Sequence, residues 1–182
     1  MFRRPSMLVF LLASWLVLLA ADIPRGGVPM TFGLKSPDFT HGAAIPPQFT
    51  CSGADISPAL EWSGAPADTN SFALIADDPD APVGTWVHWV LYNLPANAHS
   101  LAQNFPKSEK GPDGSAQGRN DFGKIGYGGP CPPPGKAHRY FFKLYALDTR
   151  LDLKAGASKK DVERAMNSHI LGQAETMGRF SR

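Results

Sequence analysis

The amino-acid sequence predicts a mainly β domain built from short strands and long loops. Three observations carry this expectation. All 18 glycines and 16 of the 17 prolines lie beyond residue 21, a density of turn-formers that disfavours a helix bundle. Two runs, 86–94 (WVHWVLYNL) and 138–147 (HRYFFKLYAL), are long and apolar enough for buried strands. The segment 158–167 is the one clear helix pattern.

The elements follow in chain order. Residues 1–21 (MFRRPSMLVFLLASWLVLLAA) place Arg3 and Arg4 before an apolar run and end in Ala20 and Ala21. That is the pattern of a cleaved export signal. The alternative is an uncleaved membrane anchor, although the apolar run falls short of the about 20 residues a spanning helix needs. Residues 22–30 are polar and rich in Pro and Gly, and read as a flexible lead-in. Residues 31–182 are long enough for one domain with one core. Strands are expected at 31–34, 60–62 and 71–76, with 37–55 as extended loop. Residues 77–82 (DDPDAP) read as a turn, because two prolines remove two backbone donors.

In the run 86–94, alternation places Trp86, His88, Val90 and Tyr92 on one face and Val87, Trp89 and Leu91 on the other. Residues 96–135 are a long loop stretch, of a length that is often functional. In the run 138–147, His138, Tyr140, Phe142, Leu144 and Ala146 share a face. Ser158 and Asp161 resemble a capping box before the helix, whose apolar stripe is Val162, Ala165 and Met166. A weakly alternating run at 170–180 reads as a closing strand.

Composition narrows the function. The chain carries 18 Lys plus Arg against 16 Asp plus Glu. Two of the basic residues are Arg3 and Arg4, so the segment after residue 21 is formally neutral. That weakens a nucleic-acid or polybasic membrane-surface role. Apolar content of 43% excludes a wholly disordered chain. The leader pattern places the mature protein outside the cytoplasm, periplasmic or secreted, and no segment beyond the leader is apolar enough to span a bilayer. The cysteines Cys51 and Cys131 either form a disulfide, as an oxidising compartment permits, or remain free thiols.

Chemistry gathers at two strands. His88 and His138 each lie on an otherwise apolar face, and buried imidazoles need hydrogen-bond partners. The acidic turn holding Asp78 and Asp80 lies just before the first of them, and a fixed carboxylate orients an imidazole. If the strands approach, two imidazoles, a phenol (Tyr140) and a carboxylate form a cradle for a small oxyanion. Two unrelated core histidines are the competing account. No metal or cofactor is expected, because the chain lacks metalloprotease spacing, a calcium loop, a P-loop and a dinucleotide fingerprint. No Gly-x-Ser-x-Gly elbow nominates a nucleophile. An enzyme is therefore not the first expectation; a weak hydrolase with His88 or His138 as general base is the alternative.

The same residues carry a family resemblance. FTCSGADISPALEW (49–62), DPDAP (78–82), WVHWVLYNLP (86–95), GRNDFG (118–123), GYGGPCPP (126–133) and AHRYFFKLYALD (137–148) resemble the phosphatidylethanolamine-binding protein family, also called Raf-kinase-inhibitor-like, in its bacterial and archaeal branch. The resemblance implies a large central antiparallel sheet packed on a smaller one, with short helices towards the C-terminus. It also implies a pocket for phosphate or a phosphorylated head group, made by Asp78, His88, His138 and Tyr140. Asp80, Pro82, Trp86, Gly129 and Pro130 would form its rim or support. A protein partner, such as a kinase or protease, is a further possibility in this family, and a protein-interaction domain with a vestigial pocket is a competing function.

Overall fold

The strand Ser71–Asp78 is buried at every position, so it must lie in the middle of a sheet with both faces covered. The computed structural model, which describes residues 31–182, places it there. Among these residues the strands are β1 (Gly33–Lys35), β2 (Leu60–Ser63), β3 (Ser71–Asp78), β4 (Trp86–Pro95), β5 (Ser100–Leu101), β6 (Ala116–Gln117), β7 (His138–Leu147) and β8 (Ile170–Phe180). The helix α1 is Lys159–Met166. A five-stranded sheet has the order β6-β4-β3-β7-β8, and a three-stranded sheet the order β1-β2-β5. Every strand pairing in both sheets is antiparallel. The expected export signal and lead-in, residues 1–30, lie outside the described residues.

Each face of the large sheet covers its own core. Leu34, Leu60, Trp62 and Leu101 of the small sheet meet Phe72, Leu74, Trp89, Leu91, Phe142 and Leu144 of the large one. On the opposite face Val162 and Met166 of α1 pack with Ile75, Val90, Tyr92 and Tyr145. Fully burying one such side chain contributes about 1.5–3 kcal/mol. The helix begins at Ser158, whose side chain accepts from the Asp161 backbone while the Asp161 carboxylate accepts from the Ser158 backbone. Asp161 thus fills the role usual for Glu or Gln in a capping box.

Three local expectations need correction. Asp77 and Asp78 belong to β3 and not to the following turn. Both remain paired because the first missing backbone donor comes only at Pro79. The stretch 96–135 is not uniformly loop, since it contributes the two short strands β5 and β6. The faces of β4 also differ from strict alternation. Ala76 pairs Trp89 while its neighbour Asp77 pairs Val87, which leaves His88 as an extra residue. Likewise Leu74 pairs Leu91 and Phe72 pairs Leu94, so Ala73 faces both Tyr92 and Asn93. Asn93 has a φ of 60°, a left-handed conformation suited to a bulge. The result puts Val87, Val90 and Tyr92 on the helix side and Trp89, Leu91 and Leu94 on the small-sheet side. With His88 and Asn93 left out of the count, alternation is regular. In β7 Tyr140, Phe142, Leu144 and Ala146 share the inter-sheet face as the pattern predicts.

Candidate functional site

Three neighbouring strands of the large sheet bring the site together. β3 ends at Asp78, β4 supplies Trp86 and His88, and β7 starts at His138. The bulge turns His88 out of the ladder phase and toward β7, where its ring meets Tyr140 edge-on at 5.2 Å. His88 is buried, and its Nδ1–H donates to the Gly128 carbonyl at 2.6 Å. Because a carbonyl only accepts, this contact fixes the tautomer. Burial pushes the His88 pKa below its ordinary value, against the opposing pull of the Gly128 carbonyl and the Asp78 charge. At pH 7 the ring is therefore neutral, and Nε2 carries a lone pair.

His138 is fixed in the same sense by a different partner. Its Nδ1 lies 2.8 Å from Asp78 Oδ2, and the other Asp78 oxygen accepts the Asp80 backbone N–H at 2.8 Å. Neither imidazole has a partner on Nε2 among the described residues. The Tyr140 hydroxyl and the Trp86 indole N–H are both buried without a hydrogen-bond partner. Burial, reinforced by the Asp78 charge, raises the Tyr140 pKa. The carboxylate is near enough to act on the phenol without reaching hydrogen-bond geometry. Tyr140 thus stays a donor over the working pH range.

These groups surround a cavity of about 200 Å³. Asp78, His88, His138 and Trp86 line it, together with the apolar Pro82, Val83, Phe122 and Pro132. Tyr140 lies beneath His88 and is not part of the lining. Asp80 supports from behind: its carboxylate takes two bonds from the Arg139 guanidinium and one from the Arg139 backbone. That guanidinium holds the Asp80 carboxyl down at about 2. Gly129 and Pro130 do not line this cavity. Gly129 donates its N–H to Asp55 Oδ1, and the Pro130 carbonyl accepts from the Cys51 backbone. Cys51 and Cys131 are joined by a disulfide, with Cys131 in the cavity wall. Among the described residues no group of three or more His, Cys, Asp or Glu side chains is placed to hold a metal ion.

Phe122, Val83 and Pro133 line the cavity without having been singled out from the sequence. They sit in loops, where no periodicity reports facing. The exposure of Val83 (80%) and Phe122 (40%) is a structural signal only.

Comparison with known proteins places this geometry in a family. The family profile described as phosphatidylethanolamine-binding protein matches residues 35–181. A UPF0098 protein of Methanothermobacter thermautotrophicus is 53% identical over 149 residues, covering 82% of this chain and 98% of the relative. A UPF0098 protein of Aquifex aeolicus is 52% identical, covering 86% and 91%. The crystal structure of Escherichia coli YbcL, described as a new member of the mammalian PEBP family, superposes with a TM-score of 0.78 at 35% identity, covering 83% of this chain and 98% of YbcL. The match spans the whole five-stranded sheet and every side chain of the cavity, and the chain belongs to the phosphatidylethanolamine-binding protein family.

Proposed function

We propose that this chain is an exported binding protein whose cavity between β3, β4 and β7 takes phosphate or a phosphorylated head group, and that it thereby modulates a partner. The observation that carries the reading is the set of unspent polar atoms. Both imidazoles have Nδ1 tied to the protein and Nε2 without a partner, and the Trp86 indole N–H in the cavity wall is buried with no partner. A buried donor left unsatisfied costs about 1–3 kcal/mol, and an oxyanion with several acceptor oxygens relieves that cost. The apolar rim of Pro82, Val83 and Phe122 suits the carbon chain attached to a phosphate ester.

The neutral state of His88 adds a proton to the balance. Its Nε2 lone pair repels a phosphate oxygen unless a proton lies between them. Either the ligand brings that proton on a P–OH group, or His88 takes one up on binding. Affinity for a ligand of fixed charge then falls as pH rises through the His88 pKa. A sulfate monoester serves as that probe, since its charge does not change between pH 6 and pH 8.5.

Export is supported by the leader pattern and by the disulfide, which belongs to an oxidising compartment. No helix of the described residues is long and apolar enough to cross a membrane. A hydrolase reading would rest on His88 or His138 as general base, since no serine, threonine or lysine lines the cavity and Cys131 is bonded. The deciding experiment is an amide and imidazole NMR titration of residues 22–182 with phosphoethanolamine. Joint, saturable shifts of His88, His138 and the 78–82 segment are expected. No shift at millimolar ligand overturns the reading.

A further inference from the structure

A second cavity, of about 330 Å³, adjoins the first and shares Phe122 and Cys131 with it. We propose that it is a second anion subsite, which takes the distal acid group of a two-headed phosphate monoester whose phosphoryl group sits between His88 and His138. The proposal rests on the phosphate reading above and adds the ligand class.

Phe122 is the partition between the two cavities. Phe122 stands on a turn whose backbone is held by Asn120: its Oδ1 accepts from the N–H groups of Phe122 and Lys124, and its Nδ2 donates to the Gly126 carbonyl. The ring packs edge-on against both Trp86 and His88 at 5.4 Å. It also lies directly on Gly128, where a Cβ would come within 2.7 Å of the ring. Gly128 is the residue whose carbonyl orients His88. An apolar ring on a fixed turn, 40% exposed between two cavities, is a surface over which the carbon chain of a ligand can pass.

The charges of the second cavity decide what it accepts. Asp55 is paired: Oδ1 takes the Gly129 N–H at 2.6 Å and Oδ2 takes Lys107 Nζ at 2.8 Å. Lys107 gives two of its three N–H donors to Asp55, one in this ion pair and one to the Asp55 carbonyl, so its charge offsets that of Asp55. Lys124 lines the same cavity and its ammonium has no hydrogen-bond or ion-pair partner among the described residues. The remaining wall includes Ile125 and Tyr127, whose hydroxyl is given to the Phe49 carbonyl. The cavity thus offers an uncommitted cation and no uncommitted carboxylate. It suits a second carboxylate or phosphate better than an ammonium head such as that of ethanolamine, because its one carboxylate is already paired with a cation.

The test compares 3-phosphoglycerate with glycerol 3-phosphate, which differ at the group distal to the phosphate, and follows both by calorimetry and imidazole NMR. In the unmodified protein 3-phosphoglycerate should bind about fivefold more tightly at low salt, with the preference shrinking as salt screens the exposed lysine. The Lys124→Gln variant should lose that preference and keep its affinity for glycerol 3-phosphate within about twofold, while amide shifts at residues 124–125 disappear. Equal affinity for the two ligands in the unmodified protein, with His88 still shifting, would overturn the subsite and leave the phosphate site standing. Binding of neither ligand would overturn both. A preference that survives Lys124→Gln would also sink the assignment.

Discussion

Asp77 and Asp78 are adjacent in β3 and both buried, but they point to opposite faces of the sheet and do different work. Asp77 is closed by two cations, Lys143 Nζ of β7 at 2.8 Å and Lys159 Nζ of α1 at 2.6 Å. These contacts end there, and their effect is to fasten the helix to the sheet. Asp78 is closed by a backbone N–H and an imidazole. The imidazole has a second nitrogen, so the contact continues into the cavity. Every oxygen of the two carboxylates has a partner, and burial alone does not separate them. What separates them is whether the partner has bonding capacity left over. By the same criterion Tyr140, Trp86 and, on the small sheet away from the cavity, Trp62 keep an unspent donor, whereas Asn93 is structural, because both polar atoms of its side chain are given to the Leu151 backbone.

Four experiments test this contrast. Asp77→Ala leaves two ammonium groups facing each other at the sheet, and should cost about 3 kcal/mol in urea denaturation. Phosphate affinity should stay within about twofold of the parent. A cost below about 1 kcal/mol would show that the lysines find solvent easily and that Asp77 is no fastener. Asp78→Ala should be milder for stability, about 1–2 kcal/mol, and harsher for binding, with phosphate affinity down about tenfold as His138 loses its orientation. If the two variants behave alike, the division between the faces is wrong.

The third experiment is a pH titration of the imidazoles. His88 should titrate below its ordinary 6.5 in the free protein and move up when phosphate binds. The unfolded chain takes a proton at this residue more readily than the folded one, so the folded state has its full advantage above pH 6.5 and loses it as pH falls further. A free-protein value above 6.5 would contradict the buried, neutral ring. The smallest effect belongs to Asp80→Asn. Its ion pair with Arg139 is partly exposed, and such pairs are worth about 1 kcal/mol or less. The carboxyl stays ionised down to about 2, so whatever it contributes is present above 3.8 and fades as pH falls from there. A cost of several kcal/mol would make Asp80 a second structural carboxylate.

Much of this was legible in the sequence, and the exceptions share a cause. The strands at 71–76, 86–94, 138–147 and 170–180 and the helix at 158–167 rest on local patterns that tertiary packing reinforces. The family resemblance named Asp78, His88, His138 and Tyr140, and the structure gathers all four within one end of the large sheet. Alternation alone put His88 with Val90, because a period-2 count has no means of detecting an inserted residue. The role of Phe122 was invisible because it depends on Trp86, His88 and Gly128, which lie far from it along the chain or in a different turn. The pairing of Cys51 with Cys131 could not be decided from an even count of thiols, since it depends on two loops meeting across 80 positions.

The bulge at residue 88 has a consequence for how the chain can be edited. β3 is already provided with partners on either side of it, Trp89 for Ala76 and Val87 for Asp77. The ladder is complete without the histidine. Deleting one codon would leave Val87 and Trp89 in unbroken alternation on their present faces, and would erase the residue that carries the free lone pair. The ligand chemistry proposed for this site occupies a surplus position of the strand, so sheet and site can change along separate routes, one by substitution within the pairing and the other by the gain or loss of a single residue.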